Sequence, residues 1–217
     1  MIPLRDETRR PMGVPWVTAA IVAANAAVFL MELAKGDTFV TQWAATPADI
    51  AANHRLVTLF SSMFMHASWS HIIGNMVFLW AFGPEIEEAM GRGRYLVFYL
   101  LGGIAAMLAQ VAADPSSTVP SLGASGAIAA VMGAFLVTYP NDRIRTILFF
   151  GWFARIAYVP AIFLIGFWLV TQLVSLGDVT QAQQGGVAYM AHLGGAVFGA
   201  LTGRLFEHRR PKDQLLI

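Results

Sequence analysis

Val119-Pro120-Ser121-Leu122-Gly123-Ala124-Ser125-Gly126 leads into an apolar run that continues to Tyr139. It places one serine, with glycine on either side of the Ala-Ser pair, in the first turn of a candidate helix. A serine in such a place is packing filler, a helix cap or a nucleophile. The choice depends on a distant histidine, His192, and on whether the fold brings it to the same depth.

The surrounding composition defines the medium. Of 217 residues, 57% are hydrophobic and 12% are charged, against about a quarter charged in a soluble domain. This predicts an integral, multi-pass membrane protein whose partner is the lipid bilayer rather than nucleic acid. No cysteine is present, which removes disulfides, thiol nucleophiles and zinc-thiolate sites. The apolar run after the charged opening Met1 to Arg10 is too long for a signal-peptide core. It is expected to remain as the first span.

A hydrocarbon core about 30 Å thick needs about 20 apolar helical residues. That length predicts an all-α bundle of about six spans: Val14 to Leu33, Trp69 to Met90, Tyr95 to Ala113, Ser125 to Tyr139, Ala157 to Leu176 and Val187 to Phe206. Residues 1–13 and 207–217 form short tails around a membrane domain at 14–206. The fourth span is short and contains glycine, as expected of a helix enclosed by its neighbours. Between the first two spans, Ala34 to Ser68 is long and semi-apolar and predicts short helices in the outer interface. Thr146 to Phe153, apolar but too short to span, predicts a buried or interfacial connection.

Basic residues orient the bundle. Arg5, Arg9, Arg10, Arg92, Arg94, Arg143, Arg145, Arg155, Arg204, Arg209, Arg210 and Lys212 fall on one set of connections, whereas the alternate set holds only Lys35 and Arg55. The positive-inside rule then makes both termini cytoplasmic. Ser125 opens the fourth span at its outer end, and His192 lies about five residues into the sixth, also from outside. The two are predicted level.

Their helix faces agree. Gly195, Gly199 and Gly203 repeat every fourth residue, with His192 three before them, and Ser125, Ala129 and Gly133 make a matching row. Small residues let helices approach closely in lipid. A histidine inside a span is costly and rarely idle, so the pair together favours chemistry over packing. His71 and Asn75, four apart, share a helical face at the outer end of the second span and supply N–H donors suited to an oxyanion. Metal ligation by His66 and His71 is disfavoured, because five-residue spacing splits them between faces and no carboxylate is predicted at that depth.

Taken together, Gly123-Ala124-Ser125-Gly126, Ala191-His192-Leu193-Gly194-Gly195 with Gly199, His66 and His71 with Asn75, and Glu87-Glu88-Ala89-Met90-Gly91 resemble the rhomboid intramembrane serine proteases. The likeness covers nearly the whole chain. It implies a six-helix core and cleavage of transmembrane protein substrates by a Ser-His dyad without aspartate or cofactor. By position, Ser125 would be the nucleophile and His192 the general base, with His71, Asn75 and the Ser125 backbone N–H forming the oxyanion site. Gly123, Gly126, Glu87, Gly91, Gly195 and Gly199 would be structural. One departure stands out: rhomboids often carry an aromatic ring four residues after the nucleophile to stack on the histidine, and this chain has Ala129. Tyr189 is a candidate replacement.

Substrate spans should carry helix-breaking Gly or Pro near their outer ends and small residues at the cut, since a helix must unwind before its amides can be attacked. Two other functional classes carry different expectations. A silent relative that only binds membrane helices would usually lack the serine or the histidine; a small transporter would show charged residues at mid-membrane or paired repeats. The compact, alanine-rich chain predicts a prokaryotic plasma membrane.

Overall fold

The structure, a computed structural model, describes residues 1–9, 11–178 and 189–208, with residues 175–178 described by their backbone alone. The expected sixth-span start at Val187 and the basic residues Arg10, Arg209, Arg210 and Lys212 lie outside the described residues. The fold is mostly helical. Its long helices are α1 (Trp16–Lys35), α5 (Trp69–Met90), α6 (Arg92–Ala113), α7 (Ser125–Thr138), α8 (Ala161–Asp178) and α9 (Tyr189–Phe206). Short helices α2 (Asp37–Trp43), α3 (Pro47–Ala51) and α4 (Thr58–Ser61) occupy the long connection after α1.

By length and composition, α1 and α6 are the described helices that could each cross a membrane unaided. The others fall short for visible reasons. Helix α7 has only 14 residues, about 21 Å at 1.5 Å per residue. Helix α5 carries Glu85, Glu87 and Glu88 in its last turns.

Helix α7 is the centre of the bundle. Every residue from Gly126 to Phe135 is buried, which explains why its sequence is apolar all round rather than striped. Helix α9 lies directly against it. A side chain at Gly199 would strike the Ala130 carbonyl, one at Gly195 the Gly126 carbonyl, and one at Gly133 the Ala196 carbonyl. Backbone therefore meets backbone along this seam, on Gly126, Ala130 and Ala134 beside the expected row of Ser125, Ala129 and Gly133.

The all-α expectation needs correction. Strands β1 (Ile2–Asp6), β2 (Arg143–Phe150) and β3 (Phe153–Pro160) form an antiparallel sheet in that order, with Ile2 opposite Ile147 and Phe150 opposite Phe153. The opening tail is thus partly a strand, and Thr146 to Phe153, expected to be a buried or interfacial connection, is the distal part of the β2–β3 hairpin. Helix α8 consequently starts at Ala161 instead of Ala157, because residues 157–160 finish β3. Alternation explains the strand: Ile144 and Thr146 are fully buried while Arg143 and Arg145 point outward. At the hairpin tip Phe149, Phe150, Trp152 and Phe153 remain exposed.

Polar contacts tie the ends of elements together opposite the serine. Arg9 binds Asp142 through Nε–Oδ2 at 2.5 Å and Nη2–Oδ1 at 3.3 Å, with its guanidinium 4.0 Å from the Tyr139 ring centre. Asp6 Oδ1 accepts from the Thr8 N–H at 2.7 Å. Burial pushes the Asp6 carboxyl up to about 7, and neighbouring Asp142 pushes the same way. Glu87 accepts from the backbone N–H groups of Val17 at 3.0 Å and Thr18 at 2.8 Å, and from the Thr18 hydroxyl at 2.8 Å. A carboxylate on the orphan donors of a helix start satisfies both hydrogen bonding and the dipole. Gly91, with φ +76°, makes the sharp turn from α5 to α6.

Candidate active site

Ser125 is the first residue of α7, placed there by a loop held from two sides. Ala45 and Ser121 exchange backbone hydrogen bonds at 3.0 and 2.7 Å, and the Gly123 N–H donates to the Ser62 carbonyl at 2.9 Å. The short-helix segment therefore clasps the serine loop. Gly123 has φ +133°, and a Cβ there would lie 2.9 Å from His71 Nε2 and 3.5 Å from Ser125 Oγ. Glycine is needed at this position twice over, for its backbone angle and for the space that His71 uses.

His192, in the first turn of α9, lies with Nε2 2.7 Å from Ser125 Oγ. The two residues are 67 positions apart in sequence and meet because the α7–α9 seam is too close for any side chain to separate them. On the other edge of the ring, Nδ1 is 2.6 Å from Gln172 Oε1 on α8. The Trp168 ring, one turn earlier on α8, lies 5.5 Å from the imidazole at a 40° tilt. The ring beside His192 thus comes from α8. Tyr189, the expected replacement for an aromatic at 129, lines the cavity but does not make this contact. Ala129 itself is fully buried, and a Cβ at Gly195 would lie 3.3 Å from its methyl group, so a large ring at 129 would collide with α9.

The α5 side supplies the donors. The Ala67 N–H points at His71 Nδ1 across 3.5 Å, which leaves Nε2 to carry the ring proton, on the edge facing Gly123 and Ser125. Asn75 Nδ2 donates to His66 Nε2 at 2.9 Å, and the His66 and His71 rings meet edge-on at 5.0 Å. Burial, with a smaller contribution from His71, pulls the His66 imidazole down to about 4, so it is neutral and able to accept from Asn75. The His66 backbone N–H is held by both Glu32 oxygens at 3.1 Å. This corrects the expectation that no carboxylate lies at this depth; Glu32 sits at the end of α1 but engages backbone, not an imidazole. A cavity of about 610 Å³ opens onto Ser125, His192, His71, Asn75, Trp168 and Gln172.

Sequence reasoning missed Gln172, Trp168 and Glu32. Glu32 carried a signal, as a carboxylate in the last turns of an apolar helix. Gln172 and Trp168 carried only their four-residue spacing, which is common.

The Rhomboid domain model matches residues 53–209. The chain belongs to the rhomboid family. Among curated relatives, the mitochondrial RHOMBOID-like protein 12 of Arabidopsis thaliana is 32% identical over 86% of this chain and 57% of its own length. Mitochondrial rhomboid protein 1 of Saccharomyces cerevisiae is 29% identical over 85% and 51%. Rhomboid protease GlpG of Klebsiella pneumoniae is 33% identical over 54% and 41%. This rhomboid spans little more than half the length of the first two relatives. Membrane residence follows from the family. The relatives come from mitochondria as well as bacteria, so alanine-rich composition does not select a prokaryotic plasma membrane, and that expectation is withdrawn.

Proposed function

We propose that this rhomboid is an intramembrane serine endopeptidase acting on transmembrane segments near the outer face of a six-span bundle, with both termini on the inner side. The observation that carries the proposal is the 2.7 Å Ser125–His192 contact, opening onto a largely apolar cavity into which His71, Asn75 and Gln172 also face. His192 Nε2 takes the serine proton as Oγ attacks a peptide carbonyl, and then returns it to the leaving amine. The oxyanion is met by the Ser125 backbone N–H at the start of α7, by His71 Nε2–H and by the Asn75 amide. Loss of one such donor typically costs about 10²–10³ in rate. Water reaches the acyl-enzyme through the same cavity, where hydroxyl, amide and imidazole groups make a wet pocket tolerable in the outer leaflet.

The test is cleavage of a single-span reporter by purified protein in lipid. Wild type should cleave, with Ser125→Ala and His192→Ala silent; His71→Ala and Asn75→Ala should each retain cleavage at a rate lower by about 10²-fold. Cleavage retained by Ser125→Ala or His192→Ala removes the dyad. Binding of the reporter without cleavage by wild type would assign the chain to the helix-binding class instead. Reporters with Gly or Pro near the outer end of the span should be cut faster than all-leucine versions.

A further inference from the structure

We propose that Gln172 is the positioning residue of the dyad, fixing the proton of His192 on Nδ1 so that Nε2 presents its lone pair to Ser125. The proposal rests on the dyad reading above and adds a third member that is neutral and comes from a different helix.

Neutral imidazole has one N–H and one lone pair, and the choice between them is set by what each nitrogen faces. Nε2 faces a hydroxyl, which can donate or accept, so Ser125 leaves the choice open. Nδ1 faces Gln172 at 2.6 Å. The orientation of that amide is fixed by its own surroundings: its nitrogen lies 3.5 Å from the Trp168 carbonyl oxygen and 3.3 Å from the Thr171 hydroxyl oxygen. The Thr171 hydroxyl donates to the Trp168 carbonyl at 2.6 Å and so offers its lone pairs to the amide. With the nitrogen turned to two acceptors, Oε1 is the end that faces His192. A carbonyl oxygen only accepts, hence Nδ1 carries the proton.

In Ser-His-Asp enzymes a carboxylate makes the same choice of tautomer and also stabilises the imidazolium that forms. Gln172 performs the first task and, being uncharged, contributes less to the second. That division suits the location, since an ionised carboxylate beside a buried histidine would have to be desolvated. Trp168, one turn below Gln172, covers the ring from the same helix and limits its rotation. Both restraints on His192 thus come from α8, whereas its partner Ser125 belongs to α7.

Two measurements test the assignment. The first is the nitrogen-15 spectrum of histidine-labelled protein in lipid bilayers, with His192 assigned by its loss in His192→Ala. The wild type should show His192 as the Nδ1–H tautomer at neutral pH, and an Nε2–H form in wild type would overturn the proposal without any variant at position 172.

The second uses Gln172→Met, which keeps length and removes both the acceptor and the donor of the amide, and Gln172→Glu, which restores an acceptor. Gln172→Met should lower kcat roughly tenfold to a hundredfold, part of the 10²–10⁴ that a positioned base contributes, with KM for the reporter little changed. Its His192 signal should become a mixture of tautomers. Gln172→Glu should recover kcat and move the acid limb of the pH–rate profile to higher pH, because a carboxylate favours the imidazolium. A merely structural glutamine would leave that profile where it was. Wild-type kcat in Gln172→Met with an undisturbed Nδ1–H signal overturns the proposal while leaving the dyad intact; cleavage surviving in Ser125→Ala would instead overturn the reading on which it rests.

Discussion

The two helices that hold His192 in place do so by opposite means. On the α7–α9 side, contact is made chiefly by glycine and alanine, with backbone carbonyl groups directly opposite Gly195 and Gly199. On the α8 side, contact is made by the ends of two long side chains, Trp168 and Gln172, while Phe163, Phe167, Val170 and Leu173 of the same helix face outward. The first contact sets the distance between hydroxyl and imidazole. The second sets which nitrogen is available and how the ring is turned. Distance is thus encoded in what is missing from the sequence, and orientation in what is present.

Substitutions can separate the two. The largest expected effect is at the seam: Gly199→Leu must push α9 away from the Ala130 carbonyl, and loss of folded protein is expected, with overpacking costs at or above the ~1–3 kcal/mol usual for a packed core. Thermal unfolding in detergent reads this; a near-native melting temperature would mean that the seam is looser than drawn. Trp168→Ala comes next. It should leave the fold nearly as stable as wild type, because the ring is only partly buried, yet lower cleavage by roughly tenfold through a loosened imidazole. Equal losses of stability and activity would erase the distinction between the two sides.

The smallest effect lies at the far end of the bundle and serves as a control. The Asp6 carboxyl ionises near 7 when folded and near 3.8 when exposed. Between those values the folded state holds a proton that the unfolded state has released, so stability falls as pH rises from about 4 to about 7 and is flat beyond. Asp6→Asn should flatten that decline in a melting series against pH without changing reporter cleavage at neutral pH. A cleavage change there would mean that the two ends are coupled.

The meeting of Ser125 and His192 was legible from sequence because a membrane supplies a coordinate that soluble proteins lack. Depth follows from counting residues at a fixed rise, so Ser125 and His192 could be set level from different helices, and glycines four apart named the touching face of α9, while the α7 face lies one position along, on Gly126, Ala130 and Ala134. Neither device reaches Gln172. It sits in an apolar helix with no small-residue row, and a lone amide after a tryptophan has no marked direction. The hairpin is hidden for another reason: the hydropathy of Thr146 to Phe153 does not separate a short strand from an interfacial connection. The alternation Arg143, Ile144, Arg145, Thr146 carried the period-two signal that hydropathy averages away. Glu32 was readable as a carboxylate within a span, but its acceptance of a backbone N–H from His66 depends on how the α2–α4 segment folds back.

The contact of carbonyl against glycine along α7 and α9 has one mechanical corollary. Glycine has no rotamers to flip, so where Gly195 and Gly199 meet α7 the two helices can part only by moving backbone. Any widening that admits a bulky guest must be borne by the remaining walls.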